Sequence, residues 1–229
     1  MTSKWPILLE QALSIIEQAQ ARSLLPIDWS FGGGTALMIQ IGHRVSHDID
    51  LFITDPQILP YLNPATQDFT MRMVPDGYQT DGVRMTKLSF TGVGEIDFIC
   101  SGMLTSPGAR HSDVNGHVVR LETPEEIIAK KIHHRGTSMQ PRDMFDIAAT
   151  VRHLGQASLT QTLLPLADAC SAALPVAERM DRSLARNIID QLAVMEPFLD
   201  LRETAQDMTV ALLRNVIAAS SAGSSPAPG

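Results

Sequence analysis

Cysteine is scarce: Cys100 and Cys170 are the two thiols in 229 residues. They provide no disulfide framework and no zinc-ligand spacing, and a reducing cytoplasm is the expected setting. Aromatic residues make up 5% of the chain, too few for broad base-stacking platforms. Basic residues are outnumbered, with 18 Lys and Arg against 25 Asp and Glu, a formal net charge of −7. That excludes a surface coated with positive charge for non-specific nucleic-acid binding, although not a local basic site. No apolar run reaches about 18 residues, so no membrane span is expected. The opening MTSKWPILLEQALSII lacks a signal peptide's charged start, compact apolar core and small-residue cleavage site.

What is present fits a soluble globular chain, 44% hydrophobic and 19% charged. Its length suits one large domain or two small ones. Up to about residue 118, short strand-like runs alternate with Gly and Pro, and beyond Thr123 the pattern is helical. The expected division is 1–118, a helical region over 119–221, and a tail over 222–229. The tail's composition cannot build a core, so disorder is expected there. A first helix is expected from about Pro6 to Ser23, followed by WSFGGG as a short strand into a glycine turn, then a helix over Thr35 to Ile41. VSHDIDLFI, Val45 to Ile53, alternates with period two. QILPYL reads as helical, FTMRMV as a strand, and MTKLSFTG and GEIDFIC as two strands meeting near Gly92–Gly94. In TPEE, Thr123 suits an N-cap, Pro124 the first helical position and Glu126 the third. That helix ends near Gly136, and another runs from near Pro141 to Gly155. Three further helical stretches are expected, near 158–174, 175–194 and 196–219.

The stretch GGGTALMIQIGHRVSHDIDLF, Gly32 to Phe52, carries the chemistry. Residues two apart on a strand rise about 6.6 Å and return to the same face. On a strand over Val45–Ile53, Asp48 and Asp50 point the same way and can converge on one cation. Crowded carboxylates raise each other's pKa, and a divalent metal compensates them. Mg²⁺ takes a few carboxylates plus substrate phosphate and water, and two such ions about 3.5–4 Å apart suit in-line displacement at phosphorus. Asp97 in GEIDFIC is a candidate third ligand, with Glu95 on the same strand face as the alternative. A glycine turn leading into a helix exposes N–H groups at a positive helix end, which suits phosphate. GGGT matches neither the P-loop nor the G-x-G-x-x-G pattern. His43 and His47 share a face only on a helix, and their segment reads as loop and strand, so a zinc site is not expected there. His133 and His134 lie on the helix that opens the second half. Most of the 11 methionines read as core filler.

GGTAL at 33–37, R-V-S-H-D-I-D at 44–50, K-I-H-H-R at 131–135 and R-D-M-F-D at 142–146 occur in that order. Together they resemble the AbiEii/AbiGii toxin family of polymerase-β-like nucleotidyltransferases. The resemblance covers roughly Phe31 to Ile147; the last 70 or so residues carry no such motif. It implies an α+β fold, a mixed-sheet nucleotidyltransferase palm followed by a helical C-terminal half. It implies transfer of a nucleoside monophosphate from an NTP to an acceptor hydroxyl, releasing pyrophosphate. Some family members modify tRNA ends, and many are encoded beside an antitoxin. An RNA acceptor, a cognate antitoxin partner and no membrane are therefore expected. By position, Gly33 and Gly34 approach the triphosphate with Thr35 nearby, and Ser46 hydrogen-bonds near the phosphates. Asp48 and Asp50 hold Mg²⁺, and Asp97 serves as third carboxylate toward a second ion and the acceptor. Lys131 contacts the triphosphate, Arg135 assists one turn along, and Asp143 matches the family's second-helix acid. Lys130 stands as the alternative to Lys131. A small-molecule or protein acceptor, and a non-catalytic nucleotide-binding protein, are the competing expectations.

Overall fold

The computed structural model describes residues 3–23 and 26–223. The chain divides into two compact units. One is Met1–Ile39 with Ser46–Thr123; the other is Gln40–Val45 with Pro124–Gly229. The first unit thus runs past residue 118 to Thr123, and the second takes in a short loop from the first half of the sequence.

In the first unit, helix α1 (Trp5–Ser23) buries Leu8, Leu9, Ala12, Ile15, Ile16 and Ala19. That spacing makes one apolar stripe. Strand β1 (Trp29–Gly32) leads directly into helix α2 (Gly33–Ile41). Strand β2 (Ile49–Ile53) follows, then a 3₁₀ helix over Pro56–Leu62 and the short helix α3 (Pro64–Gln67). Five strands complete the unit: β3 (Gly77–Thr80), β4 (Met85–Phe90), β5 (Gly94–Cys100), β6 (Ala109–Val114) and β7 (His117–Glu122). Among the described residues, these seven strands form one sheet in the order β3-β4-β5-β2-β1-β7-β6. The sheet is mixed, because β2 pairs with β5 and β1 with β7 in parallel while the other pairs are antiparallel. Helix α1 packs on β2 and β5. Ile49, Leu51, Ile53, Leu88, Ile96 and Phe98 are buried in the core.

Two sequence expectations fail here, and in each case another group accounts for it. The strand expected over Val45–Ile53 begins only at Ile49. Val45 N–H donates to Ala193 O and Ser46 N–H to Met38 Sδ, so neither joins the ladder. FTMRMV is not a strand: Thr70 N–H is taken by Gln18 Oε1, and the N–H groups of Arg72 and Met73 by Gln11 Oε1. QILPYL is helical as expected, in the 3₁₀ form, with Pro60 inside it. Proline cannot donate the bond an α-helix needs at that position.

In the second unit, α4 (Pro124–Arg135) and α5 (Pro141–Leu154) start at the prolines expected to open them. Asp143 Oδ2 accepts Gln140 N–H at 3.0 Å, closing the first turn of α5. The next helices are α6 (Gln156–Leu163), α7 (Ala167–Arg179), α8 (Arg182–Asp190) and α9 (Leu201–Gly223). The helix boundary expected at 175 is absent, since α7 runs through Pro175. Helix α9 packs along α5, α6, α7 and α8, and one core cluster gathers Phe145, Ala148, Ala149, Ile189, Phe198, Leu201 and Ala205. The helix reaches Gly223, two residues into the expected disordered tail, and 224–229 lie outside the described residues. No helix among the described residues is long and apolar enough to cross a membrane.

Candidate active site

Sheet register brings two of the expected carboxylates together. Gly32 of β1 pairs with Asp50 of β2, Asp50 with Asp97 of β5, and Asp97 with Lys87 of β4. Neighbouring strands lie about 4.8 Å apart and residues in register point to the same face. Asp50 and Asp97 therefore stand side by side on the face opposite Ile49, Leu51, Ile96 and Phe98. Glu95 lies two residues away along β5, where it takes Ser89 Oγ at 3.2 Å and a close hydrogen bond from Lys87. Register thus sets Asp97, rather than Glu95, beside Asp50.

The charges of this face act on one another. Burial, and then the negative charge of Asp50, push the Asp97 carboxyl up to about 6, while Lys87 opposes them. Lys87 Nζ lies 3.0 Å from Asp97 Oδ2. The other oxygen, Asp97 Oδ1, is buried with no hydrogen-bond partner among the described residues.

The glycine turn is built against Asp50. Gly33 has φ +69°, and a Cβ there would overlap the Asp50 carboxylate. Only a residue without a side chain lets the first turn of α2 approach that acid. Gly34 and Thr35 complete the turn. Thr35 is fully buried, and its Oγ1 donates to Asp48 O at 2.5 Å. Asp48 itself precedes β2, and its Oδ1 accepts Glu95 N–H at 2.9 Å. These two bonds hold Asp48, in place of the strand alternation expected from the sequence. Ser46 is anchored through its backbone, its O accepting Ser3 Oγ at 2.6 Å.

Gly33→Ala is expected to cost about 1–2 kcal/mol through the left-handed backbone alone, with further loss from the overlap with Asp50. Thermal unfolding checks this directly. A Gly33→Ala protein as stable as wild type would mean that the turn relaxes without Asp50.

The donor set of this face fits a hard divalent cation. Two adjacent carboxylates repel, one oxygen is bare, and Mg²⁺ characteristically takes one or two carboxylates with substrate phosphates. Among the described residues no three His, Cys, Asp or Glu side chains form a ready-made metal cluster.

A second charged cluster lies within the helical unit. Lys131 Nζ is 2.9 Å from Asp143 Oδ1 and 3.1 Å from Asp146 Oδ2, and Arg135 Nη2 is 3.2 Å from Asp143 Oδ2. The i, i+4 spacing of Lys131 and Arg135 brings both to one carboxylate. Lys130 points elsewhere, is 3% exposed, and pairs with Glu126 at 3.5 Å. Arg44 binds Asp146 in a fork, Nε to Oδ1 at 2.7 Å and Nη2 to Oδ2 at 2.9 Å. His43 Nε2 lies 2.9 Å from the same Oδ1, and its ring stacks on Phe145. Asp146 is fully buried; burial alone would raise its pKa, but Arg44 and Lys131 hold the carboxyl well below the usual carboxylate range. His133 and His134 are exposed with their rings edge to face.

Sequence reasoning left Arg44, Asp146 and Lys87 without roles. Arg44 and Asp146 both belong to the quoted motifs, and Asp146 lies i, i+3 from Asp143 on an apolar helix face, which was a usable signal. For Lys87 there was only its place in an alternating strand.

Residues 16–218 match the family described as nucleotidyl transferase AbiEii toxin, type IV TA system. Among solved structures, MenT4, a nucleotidyltransferase toxin from Mycobacterium tuberculosis H37Rv, is similar with a TM-score of 0.51 at 14% identity, over 94% of this chain and 86% of that one. An H. pylori protein described as a nucleotidyltransferase has a TM-score of 0.48 at 14% identity, over 99% of this chain and 100% of its own. No curated protein matches the chain.

Proposed function

The chain belongs to the AbiEii family of nucleotidyltransferase toxins, and we propose that it moves a nucleoside monophosphate from an NTP to the terminal hydroxyl of an RNA such as tRNA. Its sheet and helices have the polymerase-β-like nucleotidyltransferase fold. One observation carries the proposal: Asp50 and Asp97 stand in register beside a glycine-led helix start whose Gly33 abuts Asp50.

The chemistry follows from that arrangement. N–H groups of Gly33, Gly34 and Thr35 open a helix whose positive end attracts phosphate oxygens. Asp50 and Asp97, with Asp48 alongside in sequence, would hold Mg²⁺. When bound, Mg²⁺ supplies positive charge to the phosphates and acidifies a coordinated hydroxyl. Asp97 Oδ1 accepts the acceptor hydroxyl's proton. The acceptor oxygen then bonds to the α-phosphorus, the bond from that phosphorus to the bridging oxygen breaks, and pyrophosphate leaves with the electron pair. Positioning and electrostatics supply most of the catalysis in such transfers. Lys131 and Arg135 are proposed as cations for the triphosphate, and Asp143 as the group that orients them. Ser46 is proposed as a neighbour of the phosphates. A cognate antitoxin and a cytoplasmic site of action belong to the same proposal.

The net charge of −7 favours a second reading, in which the acceptor is a small molecule or a protein hydroxyl. Label transfer separates the two. Purified protein is incubated with Mg²⁺, each α-labelled NTP in turn, and total RNA or cell extract. Label in RNA of tRNA size supports the first reading and identifies the donor. Label in protein or in small metabolites supports the second. Failure to bind any NTP with Mg²⁺ would sink both.

A further inference from the structure

Lys87 has no place in the mechanism above, yet it occupies the carboxylate face. It sits on β4 directly across from Asp97 in the ladder. Its Nζ lies 3.0 Å from Asp97 Oδ2 and makes a close ion pair with Glu95. Glu95 is in turn braced by Ser89 Oγ, and its N–H holds Asp48. The ammonium is thus clamped between two carboxylates of one strand face, and its side chain is 23% exposed. Asp97 is left with one oxygen engaged and the other, Oδ1, buried and bare among the described residues.

We propose that Lys87 is a positioning residue and a resident cation. It takes Asp97 Oδ2, an oxygen that a divalent ion could otherwise use, and leaves Oδ1 outside that ion pair. The proposal rests on the reading of Asp50 and Asp97 as the carboxylates that serve the nucleotide. A monovalent ammonium 3.0 Å from Oδ2 competes with any dication for that oxygen. Its removal leaves Asp50, Glu95 and Asp97 with one positive charge fewer. Metal affinity of the nucleotide-free protein should therefore rise when Lys87 is neutralised, while turnover falls because Oδ1 is no longer directed.

The test uses the full chain and Mn²⁺ as probe, with free Mn²⁺ read by electron paramagnetic resonance in the absence of NTP. K87M is expected to bind Mn²⁺ about tenfold or more tightly than wild type, as loss of one adjacent positive charge implies. K87R should return the affinity to the wild-type value. Adding D97N to K87M should abolish the gain, since the competition is for Asp97. In label transfer, K87M should lose about tenfold in kcat with little change in the KM for NTP, the signature of an interaction that matters in the transition state. K87Q repeats the measurement if K87M does not fold. Mn²⁺ affinity unchanged or weakened in K87M, or in K87Q in its place, overturns the proposal, as does a gain that survives D97N. A wild type that binds Mn²⁺ but transfers no nucleotide defeats the proposed function, and the Mn²⁺ comparison still decides the role of Lys87.

Discussion

Asp50→Asn is expected to reduce NTP-dependent label transfer by about 10³-fold or more, on the scale of losing one electrostatic contact to developing charge. The amide keeps the shape of the carboxylate, so Gly33 still meets a planar group of the same size. What disappears is the Asp50 charge in the Gly32–Asp50–Asp97–Lys87 row. Thermal stability should change little, because the substitution also removes a like charge beside Asp97. A second readout follows from that repulsion. The Asp97 carboxyl is raised to about 6 first by burial and then by Asp50. In Asp50→Asn it should therefore titrate lower than in wild type, which carboxyl-carbon NMR can follow. An Asp50→Asn protein that folds and still transfers nucleotide would remove Asp50 from the chemistry. One that unfolds would mean the residue is structural.

Asp146→Ala should behave in the opposite way. Asp146 is fully buried and accepts Arg44, Lys131 and His43. Arg44 is 8% exposed, so its guanidinium would lose its buried partner without gaining water. Removing one member of a buried ion pair costs about 3–5 kcal/mol. For a chain of this size that corresponds to roughly 6–20 °C in the thermal midpoint. Thermal melts followed by helical circular dichroism would show it. An unchanged midpoint with lost transfer would make Asp146 a catalytic rather than a structural acid.

The same residue sets a pH dependence. Its folded carboxyl is held well below its ordinary value of 3.8, so the unfolded chain takes up the proton first as pH falls. The contribution is complete above that unfolded value and is lost as pH drops through the lower folded one. The stability gap between wild type and Asp146→Asn should be full at neutral pH and close only in acid below about 3.8.

Many pieces of the candidate site were legible because they are local. GGGT before a short helix, the two aspartates of DID, and an acid alternating with Ile96 and Phe98 all concern neighbours within a few residues. So do the starts of α4 and α5, because proline suits the first turn of a helix and not its middle. Family membership follows from the order of these pieces along the chain.

Partnerships across the chain were not legible in this way. Alternation put Glu95 and Asp97 on one face but could not say which of them lies beside Asp50; the parallel pairing of β2 with β5 decided it. The strand pattern of Val45–Ile53 was genuine as a pattern, yet Val45 gives its N–H to Ala193 and Asp48 takes that of Glu95. Arg44 meets Asp146 across 102 positions. The sequence by itself determined which residue types are candidates for the proposed chemistry and which way those on regular strands and helices face, because side-chain direction repeats with the local backbone. Only the tertiary structure decided which oxygen of Asp97 is engaged, what holds Asp48, and where the buried charges are neutralised. Those depend on hydrogen-bond and charge partners that the chain brings back from far away, and no local periodicity encodes them.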